Sequence, residues 1–114
     1  ILKGSQERDY LVRQVTLTRT KSHEGLGFSI RGGSEHGVGI YVSLVEPGSS
    51  AEREGLRVGD QIVTVNDMIF ITISHDEAVH ILKTGCHLLM RVRDFFADDS
   101  HKNTRRSDHP ALLI

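Results

Sequence analysis

Alternation of apolar and polar side chains marks out most of the strands of this chain. Val15 and Leu17 alternate with Gln14, Thr16 and Thr18, which predicts a strand over about Arg13–Arg19. Phe28 and Ile30 alternate with Ser29 and Arg31, predicting a second strand with one buried face. A third follows over Gly39–Val45, with Ile40, Val42 and Leu44 on one face and Tyr41 and Val45 on the other. Gln61–Val65 places Ile62 and Val63 side by side, a pattern suited to a strand buried on both faces. Met68–Ile71 is a short extended piece, and Cys86–Arg93 gives a last strand whose Leu88, Met90 and Val92 face inward.

Two segments change period. Ala78, Ile81 and Leu82 recur at helical spacing, with His75, Val79 and Leu82 on an adjoining stripe. Ser74, with Glu77 three residues on, forms a capping box, so the spacing predicts a helix from His75 to about Thr84, stopped at Gly85. After the Pro47-Gly48 turn, Ser49 or Ser50 caps a shorter helix that runs to about Glu54 and ends at Gly55. Gly32–Gly37 reads as a hairpin loop and Asn66-Asp67 as a tight turn, since aspartate tolerates left-handed backbone angles. Ile71-Thr72-Ile73 is more apolar than an ordinary loop and is expected to be partly buried. Residues 1–12 read as a flexible extension and 13–93 as one domain. Residues 94–114 read as a largely mobile extension, with Phe95-Phe96 covering an apolar patch and an apolar end, Ala111–Ile114.

Composition narrows the function classes. A net charge of −1 argues against a nucleic-acid or membrane-surface binder that relies on bulk electrostatics. Cys86 is the single cysteine, so no intrachain disulfide forms, which fits a reducing compartment. No apolar run reaches the length of a membrane span. The first residue is Ile1, not methionine, which suggests a piece of a longer protein. Seven histidines raise a metal reading, but His75 and His80 fall on different helix faces and His36 has no partner near it in sequence. His75-Asp76 is a pair without a nucleophile, and Cys86 has no basic flank to activate it. Neither a metal, a cofactor nor a catalytic residue is assigned.

The run Gly25-Leu26-Gly27-Phe28-Ser29-Ile30-Arg31-Gly32-Gly33 carries the strongest chemical signal. Glycines at 25 and 27 let successive N–H groups point into one concavity, a nest for an anion. A dinucleotide fingerprint would need a third glycine where Ile30 stands, and a P-loop would need a lysine that Gly32-Gly33-Ser34 lacks. Both of those motifs open a helix, whereas these glycines precede a strand. A plain turn remains open for Gly25-Leu26-Gly27 taken alone. Joined in order and spacing by Pro47-Gly48, Gly55-Leu56-Arg57-Val58-Gly59-Asp60 and Ser74–Val79, the run resembles a PDZ domain over roughly Arg13–Arg93. Asp67 departs from the Asn-Gly turn usual in that family.

That resemblance implies an α+β fold, a partly open antiparallel barrel or sandwich of five to six strands capped by two α-helices. It implies a groove between the second strand and the main helix that binds C-terminal peptides of partner proteins by strand addition. The carboxylate falls to the N–H groups of Leu26, Gly27 and Phe28, with Lys21 assisting through water. The last side chain falls to a pocket of Leu26, Phe28, Ile30, Val79 and Leu82. His75 is implied to pair with a Ser or Thr hydroxyl, giving the pattern Ser/Thr-X-Φ-COOH with Φ apolar. Taken alone, Lys21 and His75 would be a solvated loop lysine and an exposed helix-start histidine. Partners are then tails of membrane or scaffold proteins, with no nucleic acid and no membrane insertion. The similarity further implies a cytoplasmic scaffold at the actin-rich projections of sensory cells, the stereocilia of hearing. The chain is expected not to be an enzyme, and the alternative is a domain used mainly for self- or hetero-association through its strands or tails. The isolated chain is expected to be mostly monomeric, with weak self-docking of Ile114, because Leu112 would stand where a hydroxyl is preferred.

Overall fold

The computed structural model describes residues 12–21, 23–94 and 113–114. The two expected extensions, Phe95-Phe96 included, therefore lie almost wholly outside the described residues. Six strands form one antiparallel sheet: β1 (Val12–Thr18), β2 (Phe28–Gly32), β3 (Ile40–Val45), β4 (Gln61–Val65), β5 (Met68–Ile69) and β6 (His87–Arg93). Their order is β1-β6-β4-β3-β2, with β5 paired to β4. β2 thus ends the row, bonded to β3 on one side and, among the described residues, to no strand on the other. Two helices complete the α+β architecture: α1 (Ser50–Arg53) and α2 (His75–Thr84). No described helix is long and apolar enough to cross a membrane.

The alternation along β1 and β6 becomes a register. Val15 faces Met90 and Leu17 faces Leu88, and all four are buried. Thr16 and Leu89 pair on the outer face, where Leu89 is exposed. The core continues through Leu26, Phe28, Ile40, Val42, Ile62, Phe70 and Leu82. Each such side chain contributes about 1.5–3 kcal/mol by leaving water. Ile73 joins the core while Ile71 stays exposed, which resolves the apolar loop ahead of α2.

Three local expectations are corrected. Ser29 is fully buried, not on a solvent face, and Leu44 is exposed although it alternates with Ile40 and Val42. For Leu44 the cause is a register shift between Ser29 and Ile30 in the β2–β3 ladder, which leaves one extra residue, Ser43, in β3 and breaks the period of that strand. Gly85 follows α2 with φ −78°, so it does not end the helix in the left-handed region. Glycine suits it because a Cβ would lie 2.7 Å from the Leu88 side chain. Asn66 and Asp67 both have positive φ, 50° and 70°, forming the tight β4–β5 turn.

Candidate functional site

Gly25-Leu26-Gly27 crosses between β1 and β2 at one end of α2, and its carbonyls are tied backwards. Leu26 O accepts from Ala51 N–H at 3.0 Å and Gly27 O from Glu46 N–H at 2.8 Å. Ser49, the α1 N-cap, accepts from Glu52 N–H and donates its own hydroxyl to Glu46 O at 2.7 Å. With the carbonyls occupied on that side, the Leu26 and Gly27 N–H groups face the groove. Gly27 has φ +92°, and a Cβ there would come within 2.2 Å of the Ser49 Cβ, so only glycine fits.

Ile114, the last residue of the sequence, occupies this nest. Its main-chain oxygen accepts from Leu26 N–H at 2.7 Å and Gly27 N–H at 3.1 Å. Its N–H donates to Phe28 O at 2.7 Å, on the strand-free side of β2. The Ile114 side chain is 2% exposed and belongs to one apolar cluster with Leu26, Phe28, Ile30 and Leu82, against which Val79 packs. Phe28 takes part through its carbonyl, which accepts from Ile114 N–H. Leu113 is exposed beside a cavity of about 310 Å³ between Gly25, Gly27 and the Glu46–Ser49 turn.

Lys21 is exposed, and no described residue pairs with its ammonium. The loop around it is organised by Glu24, whose carboxylate accepts from Thr20 N–H at 2.7 Å and the Thr20 hydroxyl at 3.0 Å. Those Thr20 bonds, the backbone one first, hold the Glu24 carboxyl below its ordinary range.

Two polar devices at the groove were not read from the sequence. Arg19 is 4% exposed, and its guanidinium donates to Glu24 O at 2.9 Å, Leu82 O at 3.0 Å and Gly85 O at 2.5 Å. It ties the loop that leads into the nest to the C-terminal end of α2 (one wall to the other). Glu35, in a 3-10 turn over Ser34–His36, accepts from His75 N–H at 3.0 and 3.3 Å, and that backbone bond chiefly lowers its carboxyl. The His75 ring lies across from β2, its Nδ1 2.9 Å from Gly32 O. Both partners lie 40 or more positions from the residue they hold, and no periodicity connects them.

Among the described residues no group of His, Cys, Asp and Glu side chains is arranged to hold a metal ion. Cys86 is a free, exposed thiol.

A family model for the PDZ domain matches residues 14–93. Human whirlin is 68% identical over 81 residues, covering 71% of this chain and 9% of whirlin. Human PDZ domain-containing protein 11 is 45% identical over 100 residues, 88% of this chain and 70% of that protein. PDZ domain-containing protein 7 of Pongo abelii is 42% identical over 90 residues, 79% of this chain and 9% of its own length. The chain thus spans only a small part of whirlin.

Proposed function

The chain belongs to the PDZ domain family, a class of non-catalytic protein-interaction modules, and on that premise we propose that it binds the free C-terminal tails of partner proteins. The observation that carries the reading is the position of Ile114, whose main chain extends β2 while its side chain enters the core. An incoming tail takes the same place. Its carboxylate accepts from the Leu26 and Gly27 N–H groups, bonds roughly twice as strong as neutral ones. Its last N–H meets Phe28 O, and its last side chain fills the space among Leu26, Phe28, Ile30, Val79 and Leu82. Burying a Leu, Ile or Val there contributes about 1.5–3 kcal/mol. The residue two places before the end reaches His75, which selects a Ser or Thr hydroxyl. Lys21 adds a distant cation worth about 0.2–1 kcal/mol. Ordering a flexible tail opposes these gains, so binding is micromolar.

By its similarity to whirlin, the domain works within a cytoplasmic scaffold that gathers membrane-protein tails at actin-rich projections. A second reading, association of copies through their tails, is favoured by the same position of Ile114. Screening the chain against a library of C-terminal peptides, each with an amidated control, tests the proposal. Enrichment of Ser/Thr-X-Φ acids over their amides supports it, and enrichment blind to amidation contradicts it.

A further inference from the structure

The bond from Ile114 N–H to Phe28 O sets a register for a strand laid along β2. The last residue stands opposite Phe28, and both side chains lie in the core. An antiparallel strand steps back one residue for each step forward along β2, and residues directly opposite share a face of the sheet. The third residue from the end is therefore opposite Ile30, on the core face. The fourth is opposite Arg31, on the other face.

Arg31 is half-buried, and among the described residues its guanidinium makes no hydrogen bond and no ion pair. Its neighbour across the β2–β3 ladder is Tyr41, which pairs in turn with Gln61, and Gln61 with Arg93. That row holds two guanidiniums and no carboxylate, and Gln61 Oε1 accepts from Arg93 Nε at 2.9 Å. Carboxylates close to the row in sequence are held elsewhere: Glu35 by His75 N–H, and Asp60 and Asp94 by Arg13. On the flank of Arg31 away from Tyr41 stands no described strand. A half-buried cation without an internal counter-charge therefore borders the edge that a ligand strand would fill.

Resting on the peptide-groove reading above, we propose that Arg31 selects an acidic residue, Asp or Glu, at the fourth place from the end of the bound tail. Opposite charges directly across two strands attract and like charges there repel, so a carboxylate is favoured at that place and a lysine disfavoured. The planar fork of the guanidinium suits a carboxylate with two parallel bonds. The groove then reads its ligand on both faces, by apolar fit on the core side and by charge on the other.

The test uses the full 114-residue chain and three free-acid peptides that differ only at the fourth residue from the end: Glu, Gln and Lys. Fluorescence anisotropy in low salt is expected to show Glu tighter than Gln by about two- to fivefold, the value of a partly exposed ion pair, and Lys weaker than Gln. Both gaps should narrow in high salt. Arg31→Gln should bring the Glu/Gln ratio to one while the Gln peptide keeps its affinity, and Arg31→Glu should reverse the order so that Lys binds best. The comparison of Glu with Lys on the unmodified chain decides the matter even where a variant fails to fold. Equal affinity for the three peptides, or a Glu preference that survives Arg31→Gln, would overturn the proposal and leave the groove intact. Failure of all three peptides to bind removes the groove reading and this proposal together.

Discussion

Ile114 N–H and Phe28 O lie 2.7 Å apart, which makes the last residue of the sequence a one-residue addition to the sheet. The bond falls on the side of β2 that no described strand covers, and the Ile114 oxygen is held at the same time by Leu26 and Gly27. A chain end and a chain edge therefore satisfy each other. The contact bears on affinity as well as on geometry, because an external tail would need the same atoms.

Competition should be measurable in the 114-residue chain. A tethered ligand acts at an effective concentration on the order of 1 mM. A tail with a dissociation constant of roughly 0.1–1 mM would then weaken an external peptide about two- to tenfold. Deleting residues 111–114 should tighten a Thr-containing peptide by that factor in a calorimetric titration. No change would show that Ile114 leaves the groove in dilute solution. A dependence on protein concentration would assign the contact to pairs of molecules.

Arg19 should matter to binding as well as to stability. Arg19→Lys keeps the charge but loses the planar fork that reaches Glu24 O, Leu82 O and Gly85 O together. Hydrogen bonds from charged groups are worth about 1.5–3 kcal/mol each, so losing even one is felt. The expected result is a several-fold loss of affinity for a free-acid peptide with less change for its amide, since the loop that presents the nest loosens. Equal losses for acid and amide would show that Arg19 supports the fold alone.

Away from the groove Arg13 pairs with Asp60 at 2.7 Å, with the Asp60 side chain only 3% exposed. Asp60 also accepts from Arg57 N–H at 2.9 Å, and Arg13 bonds Asp94 and Gly55 O. Asp60→Ala leaves Arg57 N–H without its acceptor and removes one of the partners of the Arg13 guanidinium, which keeps Asp94 and Gly55 O, a loss of about 2 kcal/mol. For a domain of this size that lowers Tm by roughly ten degrees or more. A fall of only a degree or two would mean that water replaces the carboxylate without loss.

Acid should destabilise the fold through Glu24 and Glu35. Both carboxyls sit below the ordinary glutamate value of 4.5, held there by the backbone N–H groups of Thr20 and His75 respectively. Each folded group binds fewer protons than the unfolded one, so its contribution is complete above that value and is lost as pH falls through the folded pKa. Asp60 runs the other way. Burial raises its carboxyl against the pull of Arg13, so it is relieved by protonation. The share carried by Glu24 and Glu35 should be lost between about pH 5 and pH 3, so Glu24→Gln with Glu35→Gln should make Tm fall less across that range than in the unmodified chain. An unchanged slope in the double variant would assign acid sensitivity elsewhere.

What could be read from the sequence was what repeats locally. The α2 limits follow from Ser74, Gly85 and a helical stripe between them, and the β1 and β6 faces follow from strict alternation. The nest was legible because glycines report backbone demands directly. Leu44 was misplaced because one extra residue in β3 moves the side chains beyond it to the other face. Arg19, Asp60 and Glu35 were invisible for a different reason. Each is defined by a carbonyl, guanidinium or N–H that folding brings from far along the chain, and an isolated charge in sequence looks like any solvated one.

The most direct test of the account is a paired titration of one Thr-X-Leu peptide, as free acid and as amide, against the chain lacking residues 111–114. The Leu26 and Gly27 N–H groups are placed for an anion, and losing its charge should weaken binding about tenfold or more, as charged hydrogen bonds of roughly 1.5–3 kcal/mol imply. Equal affinity for acid and amide would contradict the assignment of this groove to carboxyl termini.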